Sequence, residues 1–66
     1  MSPRERDVLA MVGAGLSNRE IAERLYLGVS TVKTYVTSLM RKTGAPNRIR
    51  LAVLAAQSSE ASSGAQ

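Results

Sequence analysis

Apolar residues recur three and four positions apart along this chain. No stretch alternates with period two over any length, so the pattern predicts helices and no strands. Val8, Leu9, Met11 and Val12 form the first stripe. Ser2-Pro3-Arg4-Glu5 opens it: Ser2 can cap, Pro3 suits the first helical position, and Glu5 can reach back to complete a capping box. Gly13 weakens the end and Gly15 is a natural stop, which predicts a first helix over about residues 3–14. Ser17-Asn18-Arg19-Glu20 repeats the opening device, and Ile21, Ala22 and Leu25 give the stripe of a second helix over about 18–25.

Tyr26-Leu27-Gly28 leaves little room for a free loop, so a third helix should cross the second steeply. That helix begins near Val29 and runs to about Lys42, with Val32, Val36, Leu39 and Met40 at i, i+4, i+7 and i+8. Its opposite face is Ser30, Lys33, Thr34, Thr37 and Arg41, uninterrupted by any bulky apolar residue. Gly44-Ala45-Pro46 ends it, and Asn47 is a fair N-cap for a fourth helix over about 48–57. Placing Ile49, Ala52, Val53 and Ala56 inward leaves Leu51, Leu54 and Ala55 outward, an apolar face that a monomer would normally make polar. The expected fold is all-α: four helices containing a helix-turn-helix over residues 1–57, then a small polar tail over 58–66 that should be disordered.

Sixty-six residues make one small domain at most. The chain has no cysteine and no histidine, which excludes disulfide staples and an ordinary zinc site. It also leaves little from which to build acid–base or nucleophilic catalysis, so no enzyme, metal or cofactor is expected. The aromatics are Tyr26 and Tyr35 alone, too few for a platform that stacks single-stranded bases. The longest apolar run, Leu51–Ala56, falls far short of the ~20 residues of a membrane span. No signal peptide is evident, and the absence of cysteine fits a reducing cytoplasm, the expected location.

Charge then divides the chain. Between Glu23 and Glu60 there is no acidic residue, while Arg24, Lys33, Arg41, Lys42, Arg48 and Arg50 all fall there. Before Arg24, four acids balance three bases. A compact helix with one polar face in an acid-free region suits a polyanion, and DNA is the obvious one. Ala22 is the small residue that lets the second and third helices approach closely, as a helix-turn-helix requires. The N-terminal half of the third helix would then reach base edges in the major groove. Lys33 can donate to guanine O6 and N7. Thr34 and Thr37 can use a hydroxyl, or a methyl against thymine. Arg41 and Lys42 lie too far along and should meet phosphate.

Three blocks carry a resemblance. Gly15-Leu16-Ser17-Asn18-Arg19-Glu20-Ile21-Ala22, Leu25-Tyr26-Leu27 and Thr31-Val32-Lys33-Thr34-Tyr35-Val36 resemble the LuxR/NarL-type helix-turn-helix domain. Ser2-Pro3-Arg4-Glu5-Arg6-Asp7-Val8-Leu9 resembles that family's first helix, and Lys42 with Gly44, then Arg48 with Ala52-Val53, its ending. The match covers about residues 2–57. The resemblance implies a four-helix effector domain of a bacterial transcription regulator or response regulator, bound to double-stranded DNA through its third helix. By position Lys33, Thr34 and Thr37 match base-facing sites, and Thr31 and Lys42 match places that meet the backbone; Ser30 and Arg41 share their face. The fourth helix is where family members dimerise, which implies a weak homodimer through Leu51, Leu54 and Ala55. The usual partner is an N-terminal receiver or sensor domain, absent from this chain, which looks like an excised C-terminal half, with a stand-alone regulator as the alternative. Three departures stand out. Gly28 replaces the usual Ser and caps the third helix weakly, Val29 and Ser30 replace frequent Pro or charged residues, and Thr43 replaces Leu, trimming the helix end.

The nearest rival is region 4 of a sigma factor, which shares the Gly-Leu-Ser, Glu-Ile-Ala and Thr-Val-Lys blocks. Against it, Pro46-Asn47 opens a fourth apolar helix where a sigma factor runs into an Arg-rich stretch. A helix-turn-helix turned to protein docking would share the fold but not need the acid-free second half. The targeting arm of a recombinase is a third possibility, and the chain carries no catalytic residues with which to support it.

Overall fold

The computed structural model describes the backbone of residues 1–64 and the side chains of residues 1–57. Four helices follow one another: α1 (Pro3–Gly13), α2 (Asn18–Leu25), α3 (Val29–Thr43) and α4 (Arg48–Gly64). No strand occurs among the described residues.

The helix starts are made by the residues that the sequence marks. Glu5 N–H donates to Ser2 Oγ at 3.2 Å, and Ser2 N–H donates back to Glu5 Oε1 at 3.0 Å. The same reciprocal pair joins Ser17 and Glu20 at 3.1 and 2.8 Å. Each pair satisfies two backbone donors that would otherwise lack an intrahelical partner. Asn47 opens α4 by accepting the Arg50 N–H at 2.8 Å. α3 starts on Gly28 with no side-chain cap.

The helix ends are set by left-handed residues. Gly15, at φ 87°, lets Leu16 N–H donate to the Met11 carbonyl and Gly15 N–H to the Val12 carbonyl, at 3.1 and 3.0 Å. This double bond pattern ends α1 and turns Leu16 back toward the core. α2 ends the same way on Tyr26, at φ 57°, with Leu27 N–H donating to the Ala22 carbonyl at 2.9 Å. A tyrosine in that conformation costs about 1 kcal/mol. Its side chain is 96% exposed, so the strain is set against the path of the turn and not against packing. Thr43 closes α3 instead of trimming it: its hydroxyl donates to the Leu39 carbonyl at 2.7 Å and accepts the Ala45 N–H at 3.3 Å.

The core is Val8, Val12, Ile21, Ala22, Val32, Val36, Leu39, Ala45 and Leu51, with Leu9, Met11, Leu16, Leu25, Leu27 and Met40 packed around it. Burying each large aliphatic side chain contributes about 1.5–3 kcal/mol, which matters in a domain this small. Ala22 is buried on α2 and joins the core cluster with Val32 and Val36 of α3.

α4 is rotated from the expected wheel. Leu51 is fully buried and Ala55 nearly so, while Ile49 is 78% and Val53 39% exposed. Leu54 is half-buried against the core. The outward placement of Leu51 and Ala55 is therefore corrected. From Ile49 to Ala56 only Arg50 is polar, so the pattern itself selects no phase. Two contacts from outside the helix select it. Arg48 donates to the Asn18 side chain and, at 2.7 Å, to the Leu16 carbonyl, pinning the start of α4 to the α1–α2 turn. At the other end, Gly13 makes room for Ala55: a Cβ on Gly13 would sit 2.8 Å from the Ala55 methyl. Residues 48, 51 and 55 then fall on one face by helical spacing. α4 also passes the expected end near residue 57, since Ser58 to Ser63 contain no glycine or proline to stop it. The rest of the expectation for the tail, its side chains and residues 65–66, lies outside the described residues.

Candidate nucleic-acid interface

α3 buries Val32, Val36 and Leu39 and turns its other side to solvent. Ser30, Thr31, Lys33, Thr34, Thr37, Arg41 and Lys42 are all exposed. Lys33, Thr34, Thr37, Ser38 and Arg41 line one shallow depression. Glu5, Thr31, Thr34, Tyr35 and Ser38 line a second, where α1 meets α3. Ser38 borders both depressions and was not among the expected site residues. Its place seven residues after Thr31 and four after Thr34 puts it on the same face, and that spacing could have found it.

The face is not uniform. Lys33 and Arg41 carry charges with no ion-pair partner among the described residues. Lys42 is different: its Nζ lies 2.7 Å from Glu5 Oε2, across 37 residues of sequence. Glu5 is buried, with its side chain 9% exposed, and Ser38 Oγ lies 3.5 Å from the same oxygen. The Lys42 hydrogen bond, joined by the Ser2 backbone N–H, holds the Glu5 carboxyl down at about 2 against an ordinary 4.5. Glu5 stays ionised and neutralises Lys42, so this lysine fastens α1 to α3 and its charge is already matched. Arg48 is likewise drawn inward by Asn18 and Leu16. Of the six basic residues in the acid-free stretch, Arg24, Lys33, Arg41 and Arg50 remain as exposed cations not engaged in these contacts.

The two threonines on the face are also partly committed. Thr34 Oγ1 donates to the Ser30 carbonyl at 3.1 Å, and Thr37 Oγ1 to the Lys33 carbonyl at 3.0 Å. Among the described residues the Ser30 and Lys33 side chains make no bond of this kind, which leaves Lys33 as an exposed, uncommitted donor on the face.

No group of three or more His, Cys, Asp or Glu side chains gathers among the described residues in a way that could hold a metal ion. No helix there is long and apolar enough to cross a membrane.

Residues 1–55 match the family described as bacterial regulatory proteins, luxR family. Among curated proteins, the chain is 39% identical over 57 residues to the DNA-binding transcriptional activator DevR/DosR of Mycobacterium tuberculosis, covering 86% of this chain and 26% of that protein. It is 42% identical over 53 residues to the nitrate/nitrite response regulator NarL of Escherichia coli, covering 80% and 24%. It is 52% identical over 48 residues to the transcriptional activator RamA of Corynebacterium glutamicum, covering 73% and 17%. The chain thus spans about a quarter or less of these relatives, and 6% of a much longer one from Mycobacterium tuberculosis. No solved structure gives a significant match.

Proposed function

The chain belongs to the luxR family of bacterial regulatory proteins and is a DNA-binding domain of a transcription regulator; on that premise we propose how it reads DNA. α3 enters the major groove, with Lys33, Thr34 and Thr37 toward base edges. Ser30, Thr31 and Arg41 flank them and meet the phosphate backbone. Lys42 contributes less than its position suggests, because Glu5 already balances it. The observation that carries this reading is the uninterrupted exposed face from Ser30 to Arg41, without an acidic side chain, on a helix fixed by three buried residues. The test is selection of bound duplexes from a random pool, followed by titration across salt concentrations. A binding site should emerge, and affinity should fall steeply with salt. A salt-independent, sequence-blind result would overturn it.

The domain works as the effector part of a longer regulator, joined to a receiver or sensor domain; its relatives NarL and DevR/DosR, a response regulator and a transcriptional activator, support this. Self-association through α4 fits the outward stripe Ile49, Val53 and Ala56, with half-buried Leu54 beside it, in place of Leu51 and Ala55. Such a pair would be weak alone and strengthened on half-sites about one helical turn apart. Val53→Glu should then weaken binding to a two-half-site duplex far more than to a single half-site. Equal losses on both would remove α4 from the contact.

A further inference from the structure

The back-bonds of Thr34 and Thr37 narrow what those residues can recognise; the argument rests on the DNA reading above. A threonine hydroxyl has one proton. In both residues that proton is spent inside α3, on the carbonyls of Ser30 and Lys33. What each side chain still offers outward is a methyl group and the remaining lone pairs of an oxygen. Both are exposed, and both line the depression that Lys33 and Arg41 border. When a groove closes over them, water leaves. A hydroxyl that still needed an acceptor would demand a match from the base or leave a polar group unsatisfied. One already bonded makes no such demand and can be buried beside an apolar group at little cost. On base edges of the major groove the apolar group is a pyrimidine C5-methyl.

We propose that Thr34 and Thr37 read a pyrimidine C5-methyl, that of thymine in unmodified DNA, and that neither donates a hydrogen bond to a base. Lys33 supplies the charged donor beside them, one residue before Thr34 and one turn before Thr37, so a half-site would place a methyl-bearing base next to one offering paired acceptors.

The experiment uses the whole chain. Duplexes are selected from an ordinary random pool and from one whose cytosines are 5-methylated. Thymines of the enriched half-site are then replaced by uracil one at a time. At one or two positions uracil should weaken binding about fourfold, the worth of one buried methyl. Thr34→Val and Thr37→Val keep the methyl and should retain both affinity and the uracil penalty. Thr34→Ser and Thr37→Ser keep only the hydroxyl; they should lose about fourfold and become indifferent to uracil at the matching position. Enrichment only from the methylated pool would make 5-methylcytosine the source and leave the methyl as the recognised group. Uracil tolerated everywhere with no methyl preference in either pool overturns the inference, as does a serine variant that outperforms its valine counterpart. If a folded chain, checked by its melting curve, enriches no duplex at all, the DNA reading fails and the inference with it. That result is distinct from a specific duplex whose methyls do not matter.

Discussion

α1 and α2 finish themselves, and α3 does not. The first two helices each open with a serine that caps and a glutamate that reaches back. Glu5 goes further and ties Lys42, while Asn18 engages Arg48. Ser2, Glu5, Ser17, Asn18 and Glu20 in this half are all matched by partners from the same chain. α3 opens on Gly28 with no side-chain cap and no acid in its first turn. The cations Lys33 and Arg41 along it are left unpaired among the described residues. The contrast teaches a division of labour. Local polar groups in the first half hold the fold, and the groups left over on α3 are those available to an outside partner.

The strongest way to break that division is Lys33→Ala. It should cost roughly 1–3 kcal/mol of binding at the selected site and leave the melting temperature unchanged. Arg41→Ala should weaken all duplexes alike, as a phosphate contact does. If Lys33→Ala lowers specific and random-sequence affinity by one factor, Lys33 meets only phosphate.

Ser17→Ala is the matching blow to the other region. It removes a cap and half of a capping box, and should cost about 1 kcal/mol of stability, read by thermal or denaturant unfolding. Affinity measured well below the melting temperature should not move. Acid attacks the same devices without mutation. Glu5 is held at about 2 against 4.5, and the Ser17 backbone and side chain lower Glu20 in the same direction. A lowered carboxyl contributes stability that is whole above its unfolded value and drains as pH falls through its folded value. Stability should therefore hold down to pH about 4.5 and decline toward pH about 2. Glu5→Gln should flatten that decline.

Gly28→Ser is the smallest change and sharpens the contrast from the other side. Gly28 sits at φ −75°, and a Cβ there would meet only Thr31 Oγ1, at 3.9 Å. Serine should be accommodated and should raise stability by a few tenths of a kcal/mol, read as a small rise in melting temperature. A fall would mean that the first turn of α3 needs to stay free of side-chain bonds.

What could be read from sequence follows the range of the interaction that decides it. The caps of α1, α2 and α4 involve residues three apart, and they are where the sequence places them. The two faces of α3 differ sharply in polarity, so the buried stripe Val32, Val36 and Leu39 is legible. α4 lacks that contrast, and its phase comes from Asn18, Leu16 and Gly13, the first two lying 30 and 32 residues before Arg48. The pairing of Lys42 is hidden for the same reason: Glu5 lies 37 positions earlier. The threonine back-bonds are local, yet composition says only that the hydroxyls have a choice, not which choice they take.

The notch at Gly13 gives α1 a hold on the far side of the molecule. Because the apolar run of α4 would accept several rotational settings, the helix behaves like a dial, and Gly13 with Ala55 is one of its two detents. Filling the notch with Gly13→Ala would press on a methyl that cannot swing aside, favouring a turned or shifted α4. The residues shown to a second copy would then change identity without any of them being mutated. A single hydrogen-to-methyl exchange, on a helix that touches neither DNA nor partner in this account, would thus retune assembly, and the retuned protein could still present an unaltered α3 to a single half-site.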